Sequence, residues 1–192
     1  MRTRDQLALF SADGMRKYLC ASELSRFLIG AQEAEFETAT FCSLLAYTGC
    51  RLSEALALMP ARLDAETGRV VFRTLKRRQQ SFRAVPVPPD LMRALLRLAA
   101  MRPQDTPLWP WCRQTAWRRV KQVMDAAGIV GAHAMPKGLR HGFGVANAEH
   151  KVPMATTQKW LGHSSLETTA IYQQATGREE RAFAARLWRS LR

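Results

Sequence analysis

Four short islands of this chain bring together a phenol, several cations and a histidine. They are TGCRLSEAL around Arg51, TLKRRQ around Lys76, PKGLRHGFG around Arg140 and WLGHSSLETTAIY ending at Tyr172. These residue types suit the breaking and remaking of a phosphodiester. Doing that without an external energy source requires a covalent intermediate, because hydrolysis would dissipate the free energy of the bond. The parts needed are a hydroxyl nucleophile, cations on the two non-bridging oxygens, and an acid for the departing oxygen. Arginine suits the non-bridging oxygens, since its planar fork makes two parallel hydrogen bonds and keeps its proton.

Each residue also has a plainer reading. Arg51 follows Gly49 at the expected start of a helix, where free backbone N–H groups favour an anion; it could equally pair with Glu54 on the same helix face. Lys76 falls at the tip of an expected hairpin. The stretch from Arg69 to Arg83 holds six basic residues (Arg69, Arg73, Lys76, Arg77, Arg78, Arg83) and no acidic one, so the hairpin reads as a phosphate-facing ribbon or as a solvated loop. His163 follows Gly162 at a helix end, where the helix dipole alone favours a histidine. Tyr172 is one of three tyrosines, and a tyrosine ring is ordinarily core. Tyr47, in a long helix before Gly49, is expected in the core, and Tyr18 lies near an N-terminal arm. A basic helix carries Arg113, Arg118, Arg119 and Lys121, with Trp117, Val120 and Met124 on its opposite side; it suits a DNA backbone or a solvated face.

In their order and separations the four islands resemble the motifs of tyrosine recombinases of the phage-integrase family, over roughly Ser22 to Tyr172. The strongest piece is Leu-Gly-His followed nine residues after His163 by Tyr172; Thr-Gly-x-Arg-x-x-Glu ending at Glu54 comes next. The resemblance implies that Tyr172 is the nucleophile of a 3′-phosphotyrosyl intermediate and that Arg51 and Arg140 clamp the phosphate. It also implies that His163 bonds a non-bridging oxygen and that Lys76 protonates the 5′-oxygen. Glu54 is then a partner that orients the site, and His141 a packing or supporting residue. The family's usual His-x-x-Arg is altered, with Lys137 in the histidine's place. Lysine rarely accepts a proton near neutrality unless burial or nearby cations lower its pKa, so Lys137 stays open between clamp, base and second candidate acid.

The function implied is site-specific recombination on double-stranded DNA by a homo-oligomer, a tetramer in synapsis, without metal or other cofactor. The DNA contacts expected are Arg73, Arg77, Arg78, Arg113, Arg118, Arg119 and Lys121. A type IB topoisomerase would use the same tyrosyl chemistry on one duplex, and a DNA-binding protein with an impaired site is the third possibility.

These residues need a scaffold. Ser22 is a candidate cap for a first helix that ends before Gly30, a longer helix runs from about Glu35 with Phe41, Leu44, Leu45 and Ala46 inward, and a short one runs from Leu52 to Pro60. The pattern then changes to β-branched and aromatic types over 69–75 and 82–87, with a short strand near Arg62 before the turn Glu66-Thr67-Gly68. Helical periodicity returns over 89–100, 114–127, 137–149 and 154–161. The fold class expected is mainly α with a small three-stranded antiparallel sheet. Residues 1–18 read as an arm, 19–176 as the catalytic domain and 177–192 as a C-terminal helix, whose apolar stripe Phe183, Leu187 and Trp188 could dock on a neighbouring protomer.

Composition agrees. A chain of 192 residues, 47% hydrophobic, suits one domain. Twenty-nine Lys and Arg against 16 Asp and Glu give +13, the electrostatics of a nucleic-acid partner. The four cysteines are scattered, without a C-x-x-C pair or histidines at zinc spacing, so reduced, mostly buried thiols and no metal are expected. With neither an apolar run long enough for a membrane nor a secretory signal, a cytoplasmic location is expected.

Overall fold

Helix α2 (Phe36–Thr48) is the element around which the others assemble. Thr38, Thr40, Phe41, Cys42, Leu44, Leu45, Ala46 and Thr48 are all buried on it, the pattern of a helix with neighbours on nearly every side. Two of its threonines tolerate burial because their hydroxyls donate back along the helix, Thr40 to the Phe36 carbonyl (2.7 Å) and Thr48 to that of Leu44 (2.6 Å). Tyr47 departs from expectation: it is 41% exposed, on a strip of α2 that faces water.

The computed structural model describes residues 9–74, 81–175 and 177–191. In these, α2 packs against α1 (Ala21–Gln32), α3 (Leu52–Leu56), α4 (Pro89–Ala100), α5 (Arg113–Ala126) and α6 (Pro136–Glu149). Strands β1 (Leu63–Asp64), β2 (Arg69–Thr74) and β3 (Ser81–Pro86) form one antiparallel sheet in that order. The chain ends with α7 (Met154–Leu161), α8 (Glu167–Ala170), a 3-10 turn over Ile171–Ala175, and α9 (Gly177–Ser190). The mainly helical class with a small antiparallel sheet is therefore observed, and the boundaries of α4 and α7 coincide with the hydrophobic period.

Two differences have local causes. Helix α1 starts one residue before Ser22: Glu23 reaches back to accept the backbone N–H of Cys20 (2.9 Å), so Cys20 takes the capping position. Nor does α1 stop at Gly30; a β-carbon there would lie 3.4 Å from that of Ala127, so this glycine marks where α1 and α5 approach closely. On α5 the buried stripe is Ala116, Val120, Val123 and Met124. Trp117, expected on that stripe, is 44% exposed. Of the cysteines, Cys42 and Cys50 are buried and Cys112 is exposed.

The sheet turns one face inward. Val70 pairs with Val85 and Phe72 with Arg83, and all four side chains are buried. A second, smaller apolar cluster joins Leu9, Val145, Leu161 and Tyr172. Leu9 reaches it because residues 9–18 fold back, with the Lys17 N–H donating to the Leu9 carbonyl (2.8 Å) and that of Ser11 to Met15 (2.8 Å). On α9, Leu187 and Trp188 are each 58% exposed; the Phe183 side chain lies outside the described residues. No described helix is long and apolar enough to cross a membrane.

Trp109 is the largest fully buried side chain among the described residues, edge-on to Phe41 (centroids 5.0 Å apart) and donating to the Glu37 carbonyl (2.9 Å). Trp109→Ala should therefore cost about 3–5 kcal/mol in urea unfolding. A loss below about 1 kcal/mol would mean that the surrounding helices close the gap.

Candidate active site

Arg51 stands immediately before α3, and its neighbour Glu54 is the centre of a buried ion cluster. The Glu54 Oε2 accepts the Arg51 backbone N–H (2.8 Å) and its Oε1 an Nη of Arg51 (2.8 Å). Arg83 comes from the sheet to the same carboxylate, through Nη1 to Oε1 (3.2 Å) and Nη2 to Oε2 (2.7 Å). Burial pushes the Glu54 carboxyl up, but Arg83 and then Arg51 outweigh it and hold the pKa below the usual value. Arg83 does not belong to a phosphate-facing ribbon as expected: it is 6% exposed. Strand alternation carries the missed signal, because residues 83 and 85 share a face and Val85 is core.

Arg140, in α6, is held by two helix ends. Its Nη1 donates to the carbonyl of Gly49 and its Nη2 to that of Leu161, both at 2.7 Å. Gly49 and Gly162 close α2 and α7 in the left-handed region (φ 59° and 66°), where glycine is favoured. A β-carbon at Gly49 would also meet Phe143 at 2.5 Å. Burial, then the charge of Arg51, lower the Arg140 pKa to about 10, which leaves it a cation at neutral pH.

His163 follows Gly162, and its Nδ1 lies 2.9 Å from the Thr169 hydroxyl, so Nε2 is the nitrogen left for a ligand. Burial, then Arg140 and Arg51, hold its pKa down to about 3. The ring stacks on Tyr172 with centroids 6.2 Å apart. Tyr172 is 2% exposed; its ring lies so close over Gly144 that a β-carbon there would come within 2.5 Å. Its hydroxyl is 3.2 Å from Nδ1 of His141. Burial raises the phenol pKa, and Arg140 and Arg51 oppose the rise. His141 is itself held to about 4, by burial and then by Lys137 and Arg140.

Arg51, Arg140, His163 and Tyr172 thus come together from four separate elements. Lys137 lies one turn before Arg140 with its side chain exposed. Lys76, Arg77 and Arg78 lie outside the described residues, in the connection between β2 and β3. Of the other basic residues, Arg73, Arg113 and Arg118 are exposed. Arg119 is engaged within the fold, bonding Glu35 and the Thr38 hydroxyl (2.7 Å each) and lying over Trp111, and Lys121 pairs with Asp125 (3.1 Å). Arg16 pairs with Glu23 through both Nη groups, and His133 approaches the same carboxylate (3.0 Å), so His133 is engaged in an ion cluster. No metal-holding group of His, Cys, Asp and Glu occurs among the described residues.

This fold is mainly helical with one small antiparallel sheet, and its cluster gathers two arginines and a histidine around one buried tyrosine. The phage integrase family model matches residues 17–179, and the chain belongs to that family. It is 28% identical over 198 residues to the tyrosine recombinase XerD of Rhizobium meliloti (strain 1021), covering 90% of this chain and 62% of that protein. With the tyrosine recombinase XerA of Pyrococcus furiosus it shares 31% over 145 residues, 70% of this chain and 49% of that one. The chain thus spans 49% to 62% of the length of these two relatives. Among solved structures, XerH bound to a palindromic difH substrate, in a post-cleavage complex, superposes with TM-score 0.79 at 22% identity, over 90% of this chain and 53% of that one. The catalytic domain of bacteriophage HP1 integrase gives 0.60 at 19% identity, over 82% and 87%. These likenesses establish the fold of an integrase catalytic domain.

The two depressed histidines set a pH dependence. Their folded pKa values of about 4 and about 3 lie below the ordinary 6.5, so below pH 6.5 the unfolded chain binds protons that the folded chain refuses. Neither ring affects stability above that pH, and both destabilise the fold as pH falls through the window. Urea unfolding between about pH 6.5 and 4.5 should show falling stability, with a shallower slope in His141→Gln. A flat wild-type profile would mean that the histidines charge freely in the folded chain.

Proposed function

We propose that this chain is the cutting and rejoining domain of a site-specific DNA recombinase of the integrase type, with Tyr172 as nucleophile. The observation that carries the reading is the placement of Arg51, Arg140 and His163 around one buried tyrosine. Arg51 and Arg140 hold the non-bridging oxygens of the scissile phosphate, and the Nε2 of His163 bonds one of them. The phenol oxygen of Tyr172 attacks phosphorus, the bond to the 5′-oxygen breaks, and the 3′-phosphate stays on the tyrosine. Lys76 protonates the leaving oxygen. The phenolic proton has a neutral acceptor in His141, within hydrogen-bond reach at 3.2 Å. Rejoining is the same exchange reversed, with a 5′-hydroxyl as nucleophile, so no external energy source is required.

Double-stranded DNA is the substrate, met by the net charge of +13 and by Arg73, Arg77, Arg78, Arg113, Arg118, Arg119 and Lys121. Work on paired sites calls for a homo-oligomer, a tetramer in synapsis, and α9 with its exposed Leu187 and Trp188 is the element offered to a neighbouring protomer. The place of action is the cytosol.

Tyr172→Phe removes one hydroxyl and little packing area; it should keep DNA binding and form no covalent adduct on a suicide duplex. An adduct that persists, or maps to Tyr18 or Tyr47, would misplace the nucleophile. Arg51→Ala and Arg140→Ala should each lose more than about tenfold in cleavage, since a decade corresponds to about 1.4 kcal/mol of transition-state contact. Near-normal cleavage by either variant would remove it from the clamp.

Replacing the 5′-bridging oxygen by sulfur separates Lys76 from Lys137. A thiol leaves without a proton donor, so only loss of the acid is forgiven. Lys76→Ala should be nearly inactive on normal DNA and rescued on the sulfur strand, with Lys137→Ala impaired on both. The reverse pattern would move the acid role to Lys137.

A further inference from the structure

Arg83 lies outside the phosphate clamp described above, yet no other arginine of the site is so deeply enclosed. Its side chain is 5% exposed and that of Glu54 not at all. A guanidinium is costly to desolvate, and a buried pair seldom stabilises a fold more than apolar side chains of the same volume would. Burial at this cost beside Arg51 calls for a reason that lies in the site.

The geometry supplies one. Three donors of Arg83 are engaged: both Nη groups on Glu54, and Nε on the carbonyl of Trp160 (2.7 Å). Leu161, the next residue, gives its carbonyl to Arg140, so two consecutive carbonyls at the end of α7 are taken by two arginines. The Arg83 side chain also lies against Gly162, where a β-carbon would come within 3.1–3.2 Å of it, and its guanidinium packs over Phe72, 5.0 Å from the ring centre. One side chain of the sheet thereby ties the start of α3, which carries Arg51, to the end of α7, which carries His163.

Charge gives a second consequence. Arg51, Arg83 and Arg140 set three positive charges against the one negative charge of Glu54. A phosphodiester carries one negative charge, and attack by a phenolate adds another, so a net charge of two matches the transition state. Without Arg83 the carboxylate would neutralise Arg51, its other ion-pair partner, and the clamp would be short by one.

We infer that Arg83 is a positioning residue for phosphate cleavage: by taking up the Glu54 carboxylate and the end of α7, it fixes Arg51 and His163 relative to Arg140 and leaves the charge of Arg51 for the phosphate. This rests on the recombinase reading proposed above.

The test uses the full chain on a suicide duplex carrying the site that the wild type selects by adduct formation from a randomised pool. A second duplex has a methylphosphonate at the cut, in which a neutral methyl replaces one charged non-bridging oxygen and the demand for a cation falls. Arg83→Met should lose more than about tenfold in adduct formation on the phosphate, with DNA affinity unchanged, and should recover to within about threefold of wild type on the methylphosphonate. Arg83→Lys keeps the charge without the planar fork; it should fall between the two and carries the test if Arg83→Met does not fold. Adding Arg83→Met to Arg51→Ala should cost little more than Arg51→Ala alone. Equal losses on both duplexes, additive losses in the double variant, or full cleavage by Arg83→Met or Arg83→Lys would overturn the inference while the wild type still forms its adduct. A wild type that forms none would overturn the recombinase reading, and this inference with it.

Discussion

A carboxylate removed from water stays ionised only if hydrogen bonds and opposite charge replace its hydration. Glu54 meets that condition with four N–H donors, two from Arg51 and two from Arg83. Much of the site depends on this one group. The donors belong to a chain segment before a helix and to a sheet, so ionisation of Glu54 requires that α3 begin at Leu52 and that β3 present residue 83 inward. The register Phe72 to Arg83 is in turn held by apolar pairing, Val70 against Val85. The hydrophobic face of the sheet thus determines where a charge arrives, although charge plays little part in forming the sheet.

Helix ends complete the cluster. A helix C-terminus leaves unpaired carbonyls and a partial negative charge, and the ends of α2 and α7 point theirs at arginines. Arg140 joins the two through Gly49 and Leu161, so its orientation follows from backbone geometry and not from side chains that could change rotamer. An arginine so fixed meets the requirement of a transition-state clamp, whose donors must be in place before charge develops.

Much of this is legible in the residues. The apolar period marks the ends of α4 and α7, and glycines following helical runs locate Gly49 and Gly162, hence the chain segments that bear Arg51 and His163. What is not legible depends on which side of an element meets a neighbour. Charge alone groups Arg83 with Arg73, although strand alternation beside Val85 turns it inward. Tyr47 and Trp117 are apolar enough for the core, but the inner faces of α2 and α5 are filled by smaller residues. The start of α1 shifts because Glu23 caps backbone that Ser22 would otherwise have capped, a choice decided by the partners of Glu23, Arg16 and His133.

Tyr172 raises a different physical problem, since a hydroxyl on a side chain buried to 2% exposure cannot touch a phosphate held in water. Its ring has a place because Gly144 has no side chain, and Leu9, Val145 and Leu161 surround it. The hydroxyl is satisfied by His141, a ring kept neutral by burial and the cations around it. Burial therefore disfavours the phenolate, and Arg140 and Arg51 favour it. A phosphate seated on those arginines would neutralise part of the charge that favours the phenolate, while its own entry would bring the electrophile to the tyrosine. The proton can then leave most easily as the bond to phosphorus forms, when the negative charge passes to oxygens already facing guanidinium groups. On the recombinase reading proposed above, such coupling would keep the phenol protonated, and so unreactive, until a phosphate is seated.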